Sequence, residues 1–571
     1  MIKKPVLAVV AFMIFAMSGL AVHAEPKIVH DAEYYILQPQ NGGRWAAEDH
    51  ELDKKLAALR EKYGRPPNIV CILWDDTAFG AAGFPALQKN FGYETPNMNK
   101  MAMEGINFTR MYTEPSCTPT RAAFLTGRLP VRHGMGVVGM PHEFSRLRAE
   151  EVTIAEVLSE AGYATAFFGK GHLGDIEESY LHNQGFDEAL FTPMNQITSL
   201  YNHQGNAANA VLGLFPDIYP PDPYRLDNPG LVPEGWVMNI EGKKGELGRE
   251  WCGTSNECYD KVDQESEKRT LEFIRKNAKA GKPFFVSYWP NFLKPVIPKN
   301  SVAGLKVADA FPMLDKFIGT VMDELKQLGI AENTLFIAMA DNGPMVHSPP
   351  PGWGMLPMLY RGGKGDFTEG GVRVPAFAWW PGMIESNQVV VDIVHATDLY
   401  TTFARLGGAT KYVPTDRIVD GLEQTAVLFN GDTHGRRDYV FIYAGHQLAA
   451  TVKGRYKRHW IGAGDVAASG IPEAYYDLYM DPREENPQLV PLIHTQGQCN
   501  RMRARHELVK KKYPDVENGK GTPYTGLSNA RPETKAIAKR VRATVESMPF
   551  DVKEYLGFDL PGSDAVGDWG R

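Results

Sequence analysis

Apolar runs rich in branched and aromatic residues recur along the chain at Asn68 to Trp74, Tyr163 to Phe168, Pro283 to Trp289 and Thr334 to Ala340. Such runs, apolar at successive positions, suit strands buried on both faces of a parallel sheet. A further strand is read at Ala376 to Trp380, and helical periodicity fills Val152 to Gly162, Val262 to Ala278, Val307 to Leu328 and Ala396 to Leu406. This alternation restricts the chain to an α/β fold, a doubly wound and mostly parallel sheet. Ligands of such sheets bind outside the carboxyl ends of the strands. The residues just past each run therefore carry the most information about function.

Asp75-Asp76 follows the first run. Adjacent carboxylates at the exit of a buried strand are costly unless a cation neutralises them, and hard divalent cations prefer oxygen donors. Two solvated aspartates in a turn would read the same if they stood alone, but Asp341-Asn342-Gly343 follows Ala340 in the same way. Gly169-Lys170-Gly171-His172-Leu173-Gly174 follows the second run. Between these lies Cys117-Thr-Pro-Thr-Arg121-Ala-Ala-Phe-Leu-Thr-Gly127-Arg128. Proline is tolerated in a first helical turn, where its missing N–H costs nothing. A helix starting near Pro119 thus sets Cys117 at its N-terminus, where backbone donors and the helix dipole favour anions. Arg121 lies about one turn on and offers a bidentate fork to an oxyanion. A buried free cysteine ahead of a proline-started helix is the plainer alternative for a bare Cys-x-Pro-x-Arg.

Cys-x-Pro-x-Arg followed by Leu125-Thr126-Gly127 resembles the type I sulfatase signature. The ordered set Asp75-Asp76, Cys117 to Gly127, Gly169 to Gly174, Asp341-Asn342-Gly343, Lys364 with Glu369-Gly-Gly, and Tyr476-Asp-Leu-Tyr-Met-Asp-Pro482 resembles the landmarks of bacterial arylsulfatases. The resemblance implies the fold of the alkaline phosphatase superfamily and hydrolysis of sulfate esters. It also implies that a formylglycine-generating maturation enzyme converts Cys117 to an aldehyde, whose hydrated diol is the nucleophile. One Ca2+ per chain is implied, held by Asp75, Asp76, Asp341, Asn342 and the modified residue 117. Oxygen donors without imidazole or thiolate suit a hard cation in their own right, and the cation acts as Lewis acid and template. By the same resemblance Arg121 and Lys170 stabilise the diol and the sulfate charge. His172 is the base that collapses the sulfated intermediate, and Lys364 binds sulfate and eases departure of the alcohol.

One position departs from the family pattern. After the Pro283 to Trp289 run the family usually carries a histidine as leaving-group acid, and the match here is Lys294 in Asn291-Phe-Leu-Lys-Pro. A lysine, with a reference pKa of about 10.4, needs burial or cationic neighbours to donate a proton near neutrality. Lys294 is accordingly read as a sulfate ligand or leaving-group acid, with Lys364 and His347 as other donors. Thr120, after the signature's proline, is within the pattern. Two rival readings stand beside the sulfatase: a formylglycine-dependent phosphonate or phosphate monoester hydrolase, and a non-catalytic exported protein that binds sulfated ligands. A two-metal phosphatase is disfavoured, since Cys117 stands at the nucleophile position and Asn342 where zinc prefers imidazole.

Composition bounds the rest. A chain of 571 residues, 43% hydrophobic and 23% charged, is a folded soluble protein too long for one ordinary domain. Lys3-Lys4, an apolar run from Pro5 to Val22, and Val22-His23-Ala24 read as a secretory leader cut after Ala24. The expected location is periplasmic or secreted, with no stable membrane anchor after cleavage. The formal charge of -7 becomes more negative once Lys3 and Lys4 leave, and nothing points to nucleic acid. The expected partner is a small-molecule or saccharide sulfate ester. Five cysteines leave an odd one; Cys252 and Cys258 are spaced to close a short loop in an oxidising compartment, and Cys71 reads as packing.

Residues 25–66 read as an N-terminal arm, irregular apart from a helix near Ala46 to Tyr63, and residues 67–430 as the catalytic domain. Residues 431–571 read as a smaller C-terminal α+β subdomain. It has antiparallel strands at Tyr439 to Tyr443, Gln447 to Val452, Arg458 to Trp460 and Tyr475 to Tyr479, and a helix near Pro532 to Met548. The Pro-, Gly- and Asn-rich stretch from Met194 to Asp263 is the candidate substrate-selecting wall.

Overall fold

The computed structural model describes residues 27–89, 92–139, 146–194, 239–252, 256–291, 307–344, 358–461, 474–488 and 493–516. In chain order its central sheet contains β1 (Asn68–Trp74), β2 (Ile106–Tyr112), β3 (Ala164–Lys170), β4 (Glu188–Thr192), β5 (Ile240–Lys243) and β6 (Arg249–Glu250). It continues with β7 (Phe284–Trp289), β8 (Thr334–Ala340), β9 (Arg373–Trp379), β10 (Gln388–Val390) and β11 (Val394–His395). The spatial order is β10-β2-β9-β8-β1-β7-β3-β4-β5-β6, with β11 beside β2. From β8 through β1, β7 and β3 to β4 every neighbouring pair is parallel. β9 runs against both β8 and β2.

Every residue of β1, β3, β7 and β8 is buried, as their apolar runs require. The Asn256–Ala280 helix packs on β3 and β7, and the Pro96–Met103 helix on β2 and β9. Trp74, Trp289, Trp379 and Trp380 are among the largest fully buried side chains, and truncating one such residue costs roughly 3–5 kcal/mol. Register decides where the chemistry emerges. Trp74 pairs with Ala340, and Gly169 with Trp289, so the chain leaves β1, β8 and β3 along one rim.

The second sheet is an antiparallel meander of β12 (Tyr439–Ala444), β13 (Gln447–Lys453), β14 (Tyr456–His459) and β15 (Ala474–Asp477). A helix absent from the sequence reading, Ile493–Lys510, packs on β13 and β14. The helix expected near Pro532 to Met548 lies outside the described residues, as does most of the Met194 to Asp263 stretch. Among the described residues no helix is long and apolar enough to cross a membrane.

The N-terminal arm differs from expectation. It forms a single helix, Tyr34–Tyr63, that runs through Pro39 and Gly42-Gly43. Leu37, Trp45, Leu52, Leu56 and Leu59 are its buried face, and that packing outweighs the local breakers. The strand read at Ala376 to Trp380 begins earlier, at Arg373, and runs opposite to its neighbours.

Candidate active site

Cys117 opens the Cys117–Thr126 helix, in which every residue is buried. Its N-cap, Ser116, is extended at φ −151° and makes no side-chain cap, which leaves first-turn backbone donors beside residue 117 for an anion. Gly127 ends the helix at φ 68°, its N–H on the Ala123 carbonyl at 2.9 Å. A Cβ there would lie 2.6 Å from the Tyr400 ring.

Arg121 is fully buried and ties the rim together. Its Nη1 donates to the Lys170 carbonyl at 2.9 Å, and its Nη2 donates to Asp341 Oδ2 at 2.9 Å and to Asp75 Oδ1. The guanidinium lies 4.8 Å from the Trp289 ring centroid. Lys170 Nζ donates to Asp75 Oδ2 at 2.7 Å, and Lys364 Nζ donates to Asp76 Oδ1 at 2.7 Å. Asn342 Nδ2 donates to the same Asp76 oxygen at 2.8 Å, and the Asp76 N–H donates to Asp341 Oδ1 at 3.1 Å. The structure thus brings together Asp75, Asp76, Arg121, Lys170, Asp341, Asn342 and Lys364.

His172 lies in the left-handed region at φ 56°, as does Asp76 at φ 46°. Such strain in non-glycine residues persists only where surroundings enforce it, and it gathers at functional sites. His172 Nε2 is 2.8 Å from the Gly139 carbonyl. A carbonyl only accepts, so Nε2 carries the proton and Nδ1 keeps its lone pair. Nδ1 is buried without a hydrogen-bond partner. Gly139 in turn donates its N–H to Thr118 Oγ1 at 3.0 Å. Thr118 and Gly139 were not singled out in the sequence, because Thr118 fills a variable position of the signature and Gly139 acts through its backbone.

Electrostatics follow from this crowding. Burial raises the Cys117 thiol, but Lys170 and Lys364 outweigh it and draw the thiol below its ordinary pKa. Burial and then the Lys170 charge hold His172 well below the usual histidine range. Burial opposes the Lys364 ammonium, yet Asp76 beside it holds its pKa above the ordinary lysine value. Burial and neighbouring Asp75 push the Asp341 carboxyl well above the carboxylate range.

No group of three or more His, Cys, Asp or Glu side chains forms a ready metal cage among the described residues; each rim carboxylate is engaged by a cationic side chain instead. The donor chemistry nevertheless fits a hard cation. Asn342 spends its amide N–H groups on Asp76 and the Gly343 carbonyl, and its Oδ1 is left buried without a hydrogen-bond partner. That oxygen and the carboxylates of Asp75, Asp76 and Asp341 form a wholly oxygen donor set. Lys294 and His347 lie outside the described residues. Cys252 is disulfide-bonded, and Cys71, Cys117 and Cys499 are free and buried; the Cys258 side chain is outside the described residues.

The sulfatase family profile matches residues 67–291 and 308–409. Canis lupus familiaris N-acetylgalactosamine-6-sulfatase is 31% identical over 79% of this chain and 84% of its own length. Homo sapiens arylsulfatase A is 34% identical over 74% of this chain and 83% of its own. Among solved structures, the PsFucS1 sulfatase from Pseudoalteromonas sp. superposes with a TM-score of 0.71 at 30% identity, covering 82% of this chain and 96% of that one. By sequence and by fold alike, the chain belongs to the sulfatase family, as a type I sulfatase of the alkaline phosphatase superfamily and a sulfuric ester hydrolase.

Proposed function

We propose that the chain is an exported sulfatase that cleaves sulfate esters at residue 117 after conversion of Cys117 to formylglycine, with one Ca2+ held by Asp75, Asp76, Asp341 and Asn342. The observation that carries this reading is the convergence at one buried rim: a cysteine at a helix N-terminus, its thiol pKa drawn down by Lys170 and Lys364, near the oxygen-rich exits of β1 and β8. Hydrated formylglycine at residue 117 would supply one hydroxyl to sulfur as the alcohol departs and a second whose loss of a proton would restore the aldehyde as the C–O bond to sulfate breaks, and a cation held by Asp75, Asp76, Asp341 and Asn342 would supply Lewis-acid charge.

The remaining work falls to side chains. Arg121 and Lys170 fix Asp75 and Asp341 in place and add positive charge where the sulfate oxygens gather. His172, neutral and with its Nδ1 lone pair free, takes the proton from residue 117. Lys364, 17% exposed and paired with Asp76 at 2.7 Å, meets the ester oxygen as it departs. Lys294 is assigned to the same leaving group. The relatives' names support an aryl or saccharide sulfate as substrate, and the leader with the disulfide at Cys252 supports export.

Peptide mass spectrometry of protein from the native host should find residue 117 at the mass of formylglycine; wholly unmodified cysteine there sinks the mechanism. The same protein should turn over a phenyl sulfate faster than a phenyl phosphonate, and the reverse preference would move the site to the phosphonate hydrolase reading.

A further inference from the structure

We propose that Glu484, in the segment after β15, is a positioning residue for the reaction: it clamps both ends of the loop that carries Lys364. The inference rests on the role given to Lys364 above. The loop spans Arg361 to Thr368, between β8 and β9. At its start, Arg361 Nη1 donates to the Glu484 carbonyl at 2.7 Å. At its end, the Glu369 N–H donates to Glu484 Oε2 at 2.6 Å. One residue from the second sheet's side of the molecule therefore touches the loop at its two points of departure.

The clamp is itself held from β14. His459 Nε2 lies 2.7 Å from Glu484 Oε1, and Lys457 Nζ lies 3.0 Å from that oxygen and 3.0 Å from Glu369 Oε1. The other Glu369 oxygen accepts the Tyr112 hydroxyl at 2.9 Å, and Tyr112 ends β2, the strand that leads into Cys117. Glu369, Lys457 and Glu484 are 0% exposed. Replacing a buried ion group by apolar packing often leaves stability unchanged or improves it, so such a group is weak evidence for a stabilising role.

Backbone strain is the second observation. Glu484 lies at φ 55°, the left-handed region, although it is not a glycine, and its surroundings have to enforce that conformation. The middle of the loop is fixed separately, by the Lys364 N–H on the Pro344 carbonyl at 2.8 Å and the Gly365 N–H on the Pro115 carbonyl at 2.7 Å. Glu484 thus governs how the loop enters and leaves, and through it the reach of Lys364 Nζ to Asp76.

Glu484→Gln keeps the side-chain volume and an acceptor but removes the charge. Turnover of aryl sulfates graded by leaving-group acidity is to be measured for this variant, for Lys364→Ala and for the double variant, with hydrogen exchange of the 361–370 amides read on the same proteins. The expected result is a fall in kcat of roughly 10- to 100-fold, steeper for poor leaving groups, with little change in KM. The loop amides exchange faster, and adding Glu484→Gln to Lys364→Ala costs less than about twofold more. Independent, multiplicative losses with unchanged loop exchange overturn the clamp. If Lys364→Ala alone keeps wild-type turnover, the role of Lys364 fails, and exchange decides the clamp by itself: faster exchange sustains it, unchanged exchange overturns it. Lys457→Met, which removes the cation shared by Glu369 and Glu484, should reproduce the pattern if Glu484→Gln does not fold.

Discussion

In the proposed reaction residue 117 carries the nucleophile, and it sits in a buried position. Cys117→Ala is expected to lower turnover roughly 10^4-fold or more while melting within a few degrees of the parent, as initial rates and a thermal melt will show; wild-type turnover would remove residue 117 from its role. Asn342→Ala deletes the oxygen left without a hydrogen-bond partner. It should weaken Ca2+ binding by about tenfold or more, seen by titration calorimetry and as a smaller Ca2+-induced rise in Tm. An unchanged affinity would take Asn342 out of the donor set. These residues were singled out in the sequence because the carboxylate pairs follow apolar runs and because Cys117 and Asn342 stand at landmarks that resemble those of the sulfatase family. Thr118, Gly139 and Glu484 were not. Their contributions depend on a backbone carbonyl, a loop crossing or a left-handed φ, none of which leaves a mark on residue type.

At the scale of elements, runs and reality agree where a strand is apolar throughout. β1, β3, β7 and β8 were readable for that reason, β1 and β8 with the bounds read from the sequence and β3 and β7 with ends shifted by a residue or two. β2 was not, since Asn107 and Arg110 interrupt its apolar pattern although both are buried. Nor does periodicity carry direction, so the reversal of β9 was hidden. The Tyr34–Tyr63 helix was half visible, its first turns masked by Pro39 and Gly42-Gly43. Tight packing between elements gives a direct test at Gly343, where an added Cβ would lie 1.8 Å from the Gly370 carbonyl. Gly343→Ala should cost roughly 1–3 kcal/mol by chemical denaturation and depress turnover by shifting Asn342 and the Lys364 loop together. Parental stability and rate would show that the two backbones can part without consequence.

Imidazoles locked away neutral make the fold sensitive to acid, while burial raises the Glu114, Glu267 and Asp341 carboxyls, which act with the opposite sign as pH falls. Burial pushes His133 down to about 4 from 6.5, and burial also holds His172 and His395 well below the usual range. An unfolded chain takes up these protons first as pH falls. The stabilisation is therefore complete above pH 6.5 and is lost as pH drops toward 4, at roughly 3 kcal/mol for His133 alone. The drop in denaturation midpoint from pH 7 to pH 5 should be smaller in His133→Phe than in the parent, and an equal drop would contradict the reading. The second sheet was visible in outline from its short strands and turns, but the contacts of Lys457 and His459 with Glu369 and Glu484 were not, because the partners are far apart in sequence. The backward course of β9 has one more consequence. It makes β8 and β9 a hairpin, so that Asn342 and Lys364 hang from a single connection needing no return helix. One stretch of backbone therefore sets the positions of both residues, so a change that displaces Gly343 or Glu369 reaches the two of them at once.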